Sequence, residues 1–268
     1  MEQEKDLASL FPNVASQLRN ALGTLHLAAV RLVPSAERER DSELDKKAAL
    51  LDQSYYQMLR MVNSLSSAAY LTDDSPLSLQ NRDLVDLVGE ICDKVGDLAP
   101  LLGLDLQFLC TAEHHICAVA PDAVEQILYH LLSNAFKFTP AGGSVTVELR
   151  FTANRILLSV TDTGCGIPEE HLPMLFDRYL HKEQLAPYPH GLGLGLPVCR
   201  ALAQRQGGAI MAESQVGKGS RFTISLPDQQ VDNGVSDVLF DYAGGFNRTL
   251  LALADALPTS AFLTRNQS

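Results

Sequence analysis

The stretch Asp162-Thr163-Gly164-Cys165-Gly166-Ile167-Pro168 follows directly on Arg155–Thr161, an alternating run that predicts a strand. A carboxylate at a strand end beside two glycines can accept a hydrogen bond from an exocyclic amine, while the bare backbone approaches a flat ring closely. An ordinary glycine turn reads the same way, so this stretch decides nothing without its neighbours.

Three other segments supply that company. Gly191-Leu192-Gly193-Leu194-Gly195-Leu196-Pro197 is a glycine-rich loop running into a helix predicted over 196–206. Its N–H groups and the positive helix end suit phosphate. No strand leads into it, which excludes a dinucleotide fingerprint, and no Lys-Ser/Thr follows, which excludes a Walker loop. Gly217-Lys218-Gly219-Ser220-Arg221-Phe222 is a tight turn entering a strand over 220–226. Upstream, Pro121-Asp122 opens a helix to about 138. Val124, Ile127, Leu128, Leu131, Ala135 and Phe138 mark its buried face, and Gln126, His130, Asn134 and Lys137 line up opposite. Taken alone, that second row reads as a solvated face.

Further out, two segments carry coiled-coil spacing. Leu7, Phe11, Val14, Leu18, Ala21, Leu25, Ala28 and Leu32 form one seam, in a helix predicted over 4–33. Leu44, Ala48, Leu51, Tyr55, Met58, Val62, Leu65 and Ala69 form another, after the turn at Pro34-Ser35. Two helices of similar length joined by a short turn predict an antiparallel hairpin, and pairing with a second copy as a four-helix bundle would cover the remaining stripe. Thr72-Asp73-Asp74-Ser75-Pro76 marks the boundary to a mixed region. There a strand is expected near 77–79, a helix over 82–100, and strands near 104–110, 116–120, 144–151 and 209–213. The order predicts an α/β sandwich with helices on one face of a mixed sheet. The resulting division is a hairpin over 1–73, a sandwich domain over 76–227, and a tail over 228–268. The tail carries a short helix with Phe246, Leu250, Leu253 and Leu257 on one face.

The formal charge of −11 over 268 residues argues against nucleic acid or anionic membrane as a partner. No apolar run is long enough to span a bilayer, and Met1-Glu2-Gln3-Glu4-Lys5-Asp6 lacks the apolar core of a signal peptide. Five scattered cysteines without a Cys-x-x-Cys pair speak against a disulfide framework or a zinc site and fit a reducing cytoplasm.

Together the four segments resemble the nucleotide-binding fold shared by gyrase B, the large heat-shock chaperone ATPase, MutL and histidine kinases. Asn134 with Lys137 is similar to the N box, Asp162–Gly166 to the first glycine box and Leu175-Phe176-Asp177-Arg178-Tyr179 to the F box. Gly191–Gly195 and Gly217–Gly219 are similar to the second and third glycine boxes. The F box and the preceding hairpin single out sensor histidine kinases, and the resemblance covers roughly residues 8–227. It implies ATP and Mg²⁺ as cofactors. Asn134 would hold the Mg²⁺, and Asp162 would read the adenine amino group within the Gly164 and Gly166 turn. Lys137 and Arg178 would counter phosphate charge, and Gly191, Gly193 and Gly195 would close over it, with Gly217 and Gly219 completing the site. As partners it implies a second copy of the chain and a response-regulator receiver domain.

The hairpin departs from that pattern. The family carries a box resembling Phe-x-x-x-Ser-His-Glu-Leu-Arg-Thr-Pro-Leu, whereas this chain has Phe11-Pro12-Asn13-Val14-Ala15-Ser16-Gln17-Leu18-Arg19-Asn20-Ala21-Leu22. Ser16 holds the phosphoacceptor register and Gln17 stands beside it. A serine hydroxyl needs an activating base, which glutamine is not. His26 lies about 15 Å further along the helix, turned by roughly 80°, and reads as an ordinary exposed histidine. His130 stands where the N box usually has an asparagine, and His114-His115 read as a solvated loop pair. The expectation is therefore an ATP-binding, histidine-kinase-like dimer in two-component signalling. Two rivals remain open: a non-catalytic adaptor that docks receiver domains, and a conformational ATPase of the gyrase or chaperone type.

Overall fold

The computed structural model describes residues 2–71, 75, 77–177, 193–232 and 247–266. Two long helices, α1 (Glu2–Leu32) and α3 (Ser42–Ser67), lie against each other and are joined through a short helix, α2 (Ser35–Arg38). Pro34 separates α1 from α2, since it has no N–H with which to continue the first helix. Asp41 starts α3 by accepting from the N–H groups of Glu43 and Leu44.

The stripe that packs α1 on α3 is not the one marked by the 4-3-4-3 spacing. Ala15 is fully buried, and Leu22, His26 and Ala29 are half-buried. Val14, Leu18, Leu25 and Leu32 instead stand between 43% and 79% exposed. A helix presents one stripe to one neighbour, and small side chains at the contact allow the closest approach. Leu51 and Met58 of the second seam also face outward, whereas its Tyr55 and Val62 are buried. His26 is not the exposed histidine expected. Its ring stacks on Tyr55 with centroids 4.2 Å apart, and Nδ1 lies 4.0 Å from an Asp52 oxygen. Burial holds its pKa below the usual histidine value, although Asp52 pulls the other way.

The sandwich follows: β1 (Gln80–Asp83), α4 (Leu84–Gly96), β2 (Asp105–Cys110), β3 (Ile116–Val119), α5 (Pro121–Phe138), β4 (Ser144–Phe151), β5 (Arg155–Asp162), α6 (Gly195–Gln204), β6 (Ala209–Gln215) and β7 (Gly219–Pro227). A five-stranded sheet runs in the order β2-β4-β5-β7-β6, parallel only between β2 and β4. β1 and β3 form a separate antiparallel pair. Val145, Val147 and Leu149 on β4, Ile156, Leu158 and Val160 on β5, and Phe222, Ile224 and Leu226 on β7 are all buried. This alternation marks one face of the sheet as covered, and α4, α5 and α6 pack on it.

Two boundaries differ from expectation. The strand expected at 77–79 forms at Gln80–Asp83, where β3 supplies its partner. The helix expected over 82–100 spans only Leu84–Gly96. Asp83 caps its start by accepting from Val85 and Asp86, and Pro100 enters a separate tight turn that ends at Gly103. The boundary expected around Thr72–Pro76 falls largely outside the described residues, as does Phe246 of the tail.

The C-terminal segment returns to the body of the protein. Helix α7 (Arg248–Leu253), capped by the Asn247 side chain, and the turn Thr259–Phe262 lie between α3 and the sandwich. Leu250, Leu253, Ala254, Leu257, Ala261 and Phe262 are almost wholly enclosed. They belong to one continuous core with Tyr55, Tyr56 and Leu59 of α3 and with the interiors of α4, α5 and α6. Polar ties reinforce the seat. Arg38 donates to the Phe262 carbonyl at 2.9 Å, Gln53 to that of Leu257 at 3.0 Å, and the Tyr129 and Thr249 hydroxyls meet at 3.0 Å.

Candidate nucleotide site

Asp162 ends β5, in register with Val145 of β4 and Ser220 of β7. It is buried, and its Oδ1 accepts from the N–H groups of Gly164 at 2.8 Å and Ser220 at 3.2 Å. Burial raises its pKa above the ordinary aspartate value, while the two N–H donors oppose that rise. Oδ1 is thus engaged by the backbone, and Oδ2 accepts no hydrogen bond among the described residues.

The glycines around Asp162 have a role that their sequence did not disclose. Beside the expected approach of backbone to a flat ring, the structure shows backbone approaching backbone. A side chain at Gly219 would run into the Asp162 carbonyl, and one at Gly166 into the Gln215 carbonyl. Both glycines also have positive φ, so no other residue fits without strain. Gly217 N–H donates to the Cys165 carbonyl at 2.8 Å, which locks the first and third glycine-rich turns together. The end of α5 joins the same knot: the Phe138 carbonyl accepts from Cys165 N–H at 3.1 Å and packs closely on Gly164. Phe138 was expected on the buried face, yet its side chain is 36% exposed because the helix ends there.

The opposite row of α5 is not solvated, which corrects the bland reading of that face. Gln126 donates to Ser67 Oγ at the end of α3. His130 packs against Gly195, with Nδ1 3.2 Å from where a side-chain carbon at that glycine would sit. Its Nε2 is buried without a hydrogen bond among the described residues. Burial, helped by the nearby Arg60 and Lys137 charges, pushes its pKa down to about 3, so the ring is neutral at physiological pH. Asn134 is half-buried, one turn further along. Lys137 Nζ lies 3.2 Å from Asp255 Oδ2, and Arg60 Nη1 of α3 lies 3.4 Å from the same oxygen. Burial, then Arg60, lowers the Lys137 pKa, against the pull of Asp255.

Thus α5 carries Asn134 and Lys137 between two glycine-rich elements. Gly195 abuts it at His130, and Gly164 abuts its C-terminal end. Gly193 adopts positive φ in open space just ahead of α6. Arg178 and Gly191 lie outside the described residues.

Residues 119–230 match the family described as histidine kinase-, DNA gyrase B- and HSP90-like ATPase. The chain is 30% identical over 219 residues to the sensor protein SrrB of Staphylococcus aureus (strain N315), covering 80% of this chain and 37% of that one. It is 32% identical over 217 residues to the adaptive-response sensory kinase SasA of Synechococcus sp. (strain JA-2-3B'a(2-13)), covering 78% of this chain and 56% of that one. The chain carries a histidine-kinase-type ATPase core. It spans little more than half of the one relative and little more than a third of the other. Among solved structures, full-length ShkA in complex with AMPPNP aligns with a TM-score of 0.64 at 24% identity, over 85% of this chain and 46% of that one. The histidine kinase AdeS of Acinetobacter baumannii aligns with a TM-score of 0.52 at 20% identity, over 78% and 96%. These two likenesses establish the fold.

Ser16 and Gln17 are both exposed on α1, far along the chain from the ATPase core. Arg60 and Asp255 were missed by sequence reasoning. The available signals were an arginine on the largely buried stripe of α3 and an acid between Leu253 and Leu257. Neither reveals a partner before the tail is folded. His115 was also misread: its ring stacks on Phe151 at 3.8 Å and Nε2 meets Asp228 at 2.9 Å, so it is a packing residue. Among the described residues no helix is long and apolar enough to cross a membrane.

Proposed function

We propose that this chain binds Mg-ATP through its histidine-kinase-like core over residues 76–227, dimerises through residues 4–71, and forms no phosphohistidine on its hairpin. The observation that carries the nucleotide reading is Asp162. It is a buried carboxylate at a sheet end whose Oδ1 is committed to two backbone N–H groups, leaving Oδ2 to accept from an adenine amino group. Gly164, Gly166, Gly217 and Gly219 hold the floor around it. Lys137 and Arg178 would face phosphates, under a loop formed by Gly191, Gly193 and Gly195.

The residues present fit a magnesium ion. Asn134 offers a hard amide oxygen that no described residue engages, which suits Mg²⁺ held mainly by phosphates and water. When bound, the ion would neutralise phosphate charge. His130, a neutral ring buried against Gly195, supports the glycine loop rather than the metal.

Titration calorimetry with Mg-ATP and Mg-ADP tests the reading. Binding is expected at micromolar to millimolar affinity, a free energy on the order of 4–8 kcal/mol, and Asp162→Asn should weaken it. Absence of heat for both nucleotides ends the proposal. For the acceptor, incubation with γ-labelled ATP should leave no acid-labile label on the hairpin. Ser16→His with Gln17→Glu should introduce it, since imidazole is the better nucleophile near neutral pH. Acid-labile label mapped to His26 of the unaltered chain would overturn the assignment.

The exposed Ser16 and Gln17 favour a second reading, in which the dimer is a non-catalytic adaptor that docks response-regulator receiver domains while the nucleotide fold serves only as a platform. Pull-down of receiver domains by the Asp162→Asn chain separates the two, because an adaptor would keep its partner without nucleotide.

A further inference from the structure

Two cations, Arg60 from the hairpin and Lys137 from α5, converge on one oxygen of one carboxylate, Asp255. All three side chains are 12–13% exposed. Arg60 Nη1 has no well-formed hydrogen bond among the described residues. Among the described residues two positive charges meet one negative there, and an enclosed charge without full compensation is costly. A group with more than one negative charge and several acceptor oxygens would satisfy both cations better than a carboxylate does. Asn134, one turn before Lys137 on the same helix, has an amide that nothing described engages.

We propose that Arg60 is a second phosphate-binding cation of the nucleotide site, and that Asp255 occupies the Arg60–Lys137 pair as a built-in competitor which bound phosphate displaces. The inference rests on the reading above, in which Lys137 faces phosphate. It adds a hairpin residue to the site and a tail residue that opposes binding.

The extent of the displacement follows from burial. Leu250, Leu253, Leu257 and Phe262 are enclosed in the shared core. Expelling all four outweighs what a nucleotide of ordinary affinity supplies. The tail therefore stays seated on α3 and α5, and only the turn at Ala254–Ala256 yields. Two of the bonds there are long, Gln57 to the Ala254 carbonyl at 3.3 Å and Ala254 N–H to the Leu251 carbonyl at 3.5 Å. Ala254 itself is enclosed and Ala256 N–H holds the Leu253 carbonyl at 2.8 Å, so the movement is confined to Asp255 and its immediate backbone. Coupling is reciprocal, so whatever factor Asp255 takes from nucleotide affinity, nucleotide takes from the Asp255 contact.

The test is calorimetry on the full chain with Mg-ATP and with adenosine, which has no phosphate. Asp255→Asn should tighten ATP by about tenfold and leave adenosine unchanged. Adding Arg60→Gln to Asp255→Asn should remove most of that gain. Unchanged ATP affinity in Asp255→Asn overturns this inference alone, and equal tightening of adenosine does so too, because it signals general loosening. Absence of ATP binding in both the unaltered chain and Asp255→Asn overturns the nucleotide reading and this inference together. Should Asp255→Asn fail to fold, hydrogen exchange on the unaltered chain decides. ATP should speed exchange at Ala254–Ala256 while Leu253 and Phe262 stay protected, and no change at the turn overturns the proposal.

Discussion

The hairpin and the C-terminal segment each carry an apolar stripe at helical spacing, and the two stripes have opposite fates. Leu18, Leu25 and Leu32 on α1 stand 43%, 66% and 79% exposed, whereas Leu250, Leu253 and Phe262 in the tail are enclosed to within 2%. Periodicity states that a face needs covering; it does not state what covers it. The tail stripe is short and joins the core of its own chain. The α1 stripe is left over after a neighbouring one, through Ala15 and Ala29, has packed on α3, so no described residue covers it, and it is the face on which the proposed dimer would close.

The strongest way to break this comparison is to cut into the covered side. Phe262→Ala removes a fully enclosed ring and should cost about 3–5 kcal/mol in chemical denaturation. A loss below about 1 kcal/mol would mean that the tail is not part of the folding unit. On the open side, Leu18→Asp should weaken self-association by at least about a hundredfold in sedimentation equilibrium, because a desolvated carboxylate faces its own copy across the seam. The same change should leave the unfolding midpoint of the monomer almost unmoved.

A third effect is smaller and separates the two sides by pH. His130 lies beside the Arg60–Lys137 charges under the tail, with its folded pKa pushed down to about 3. Its unfolded value is near 6.5, so below that pH the unfolded chain binds a proton that the folded chain refuses. Stability therefore falls as pH drops through 6.5 toward 3. The His130 share is about 2 kcal/mol between pH 7.5 and 5, and His130→Asn should abolish that share. The exposed seam residues Leu18, Leu25 and Leu32 carry no charge, so self-association should change little over the same range. The smallest effect is the sharpest contrast with Phe262: Leu25→Ser should shift monomer stability by no more than about 0.5 kcal/mol.

Much of the candidate site was legible because its chemistry is local. Asp162 is read from a strand followed by glycines, and Asn134 and Lys137 from four-and-three spacing on one helix. The role of Gly166 and Gly219 was not legible, since the collisions they avoid are with the Gln215 and Asp162 carbonyls, which only chain folding brings near. Phe138 was placed on the wrong side because helical periodicity continues to the last residue, whereas burial stops where the helix runs out from under its neighbours.

The sequence by itself determined the order of elements, the glycine turns, the carboxylate at the end of β5 and the Ser16-Gln17 pair on α1. Each of these depends on residues a few positions apart, where backbone preference and side-chain chemistry act directly. Only the tertiary structure decided which stripe of α1 meets α3, that His26 lies under Tyr55, and that Arg60, Lys137 and Asp255 share one oxygen. Those outcomes join residues as many as 195 positions apart. No local preference reaches that far: the contact exists because burying Leu253, Leu257 and Phe262 draws the tail into the groove between α3 and α5.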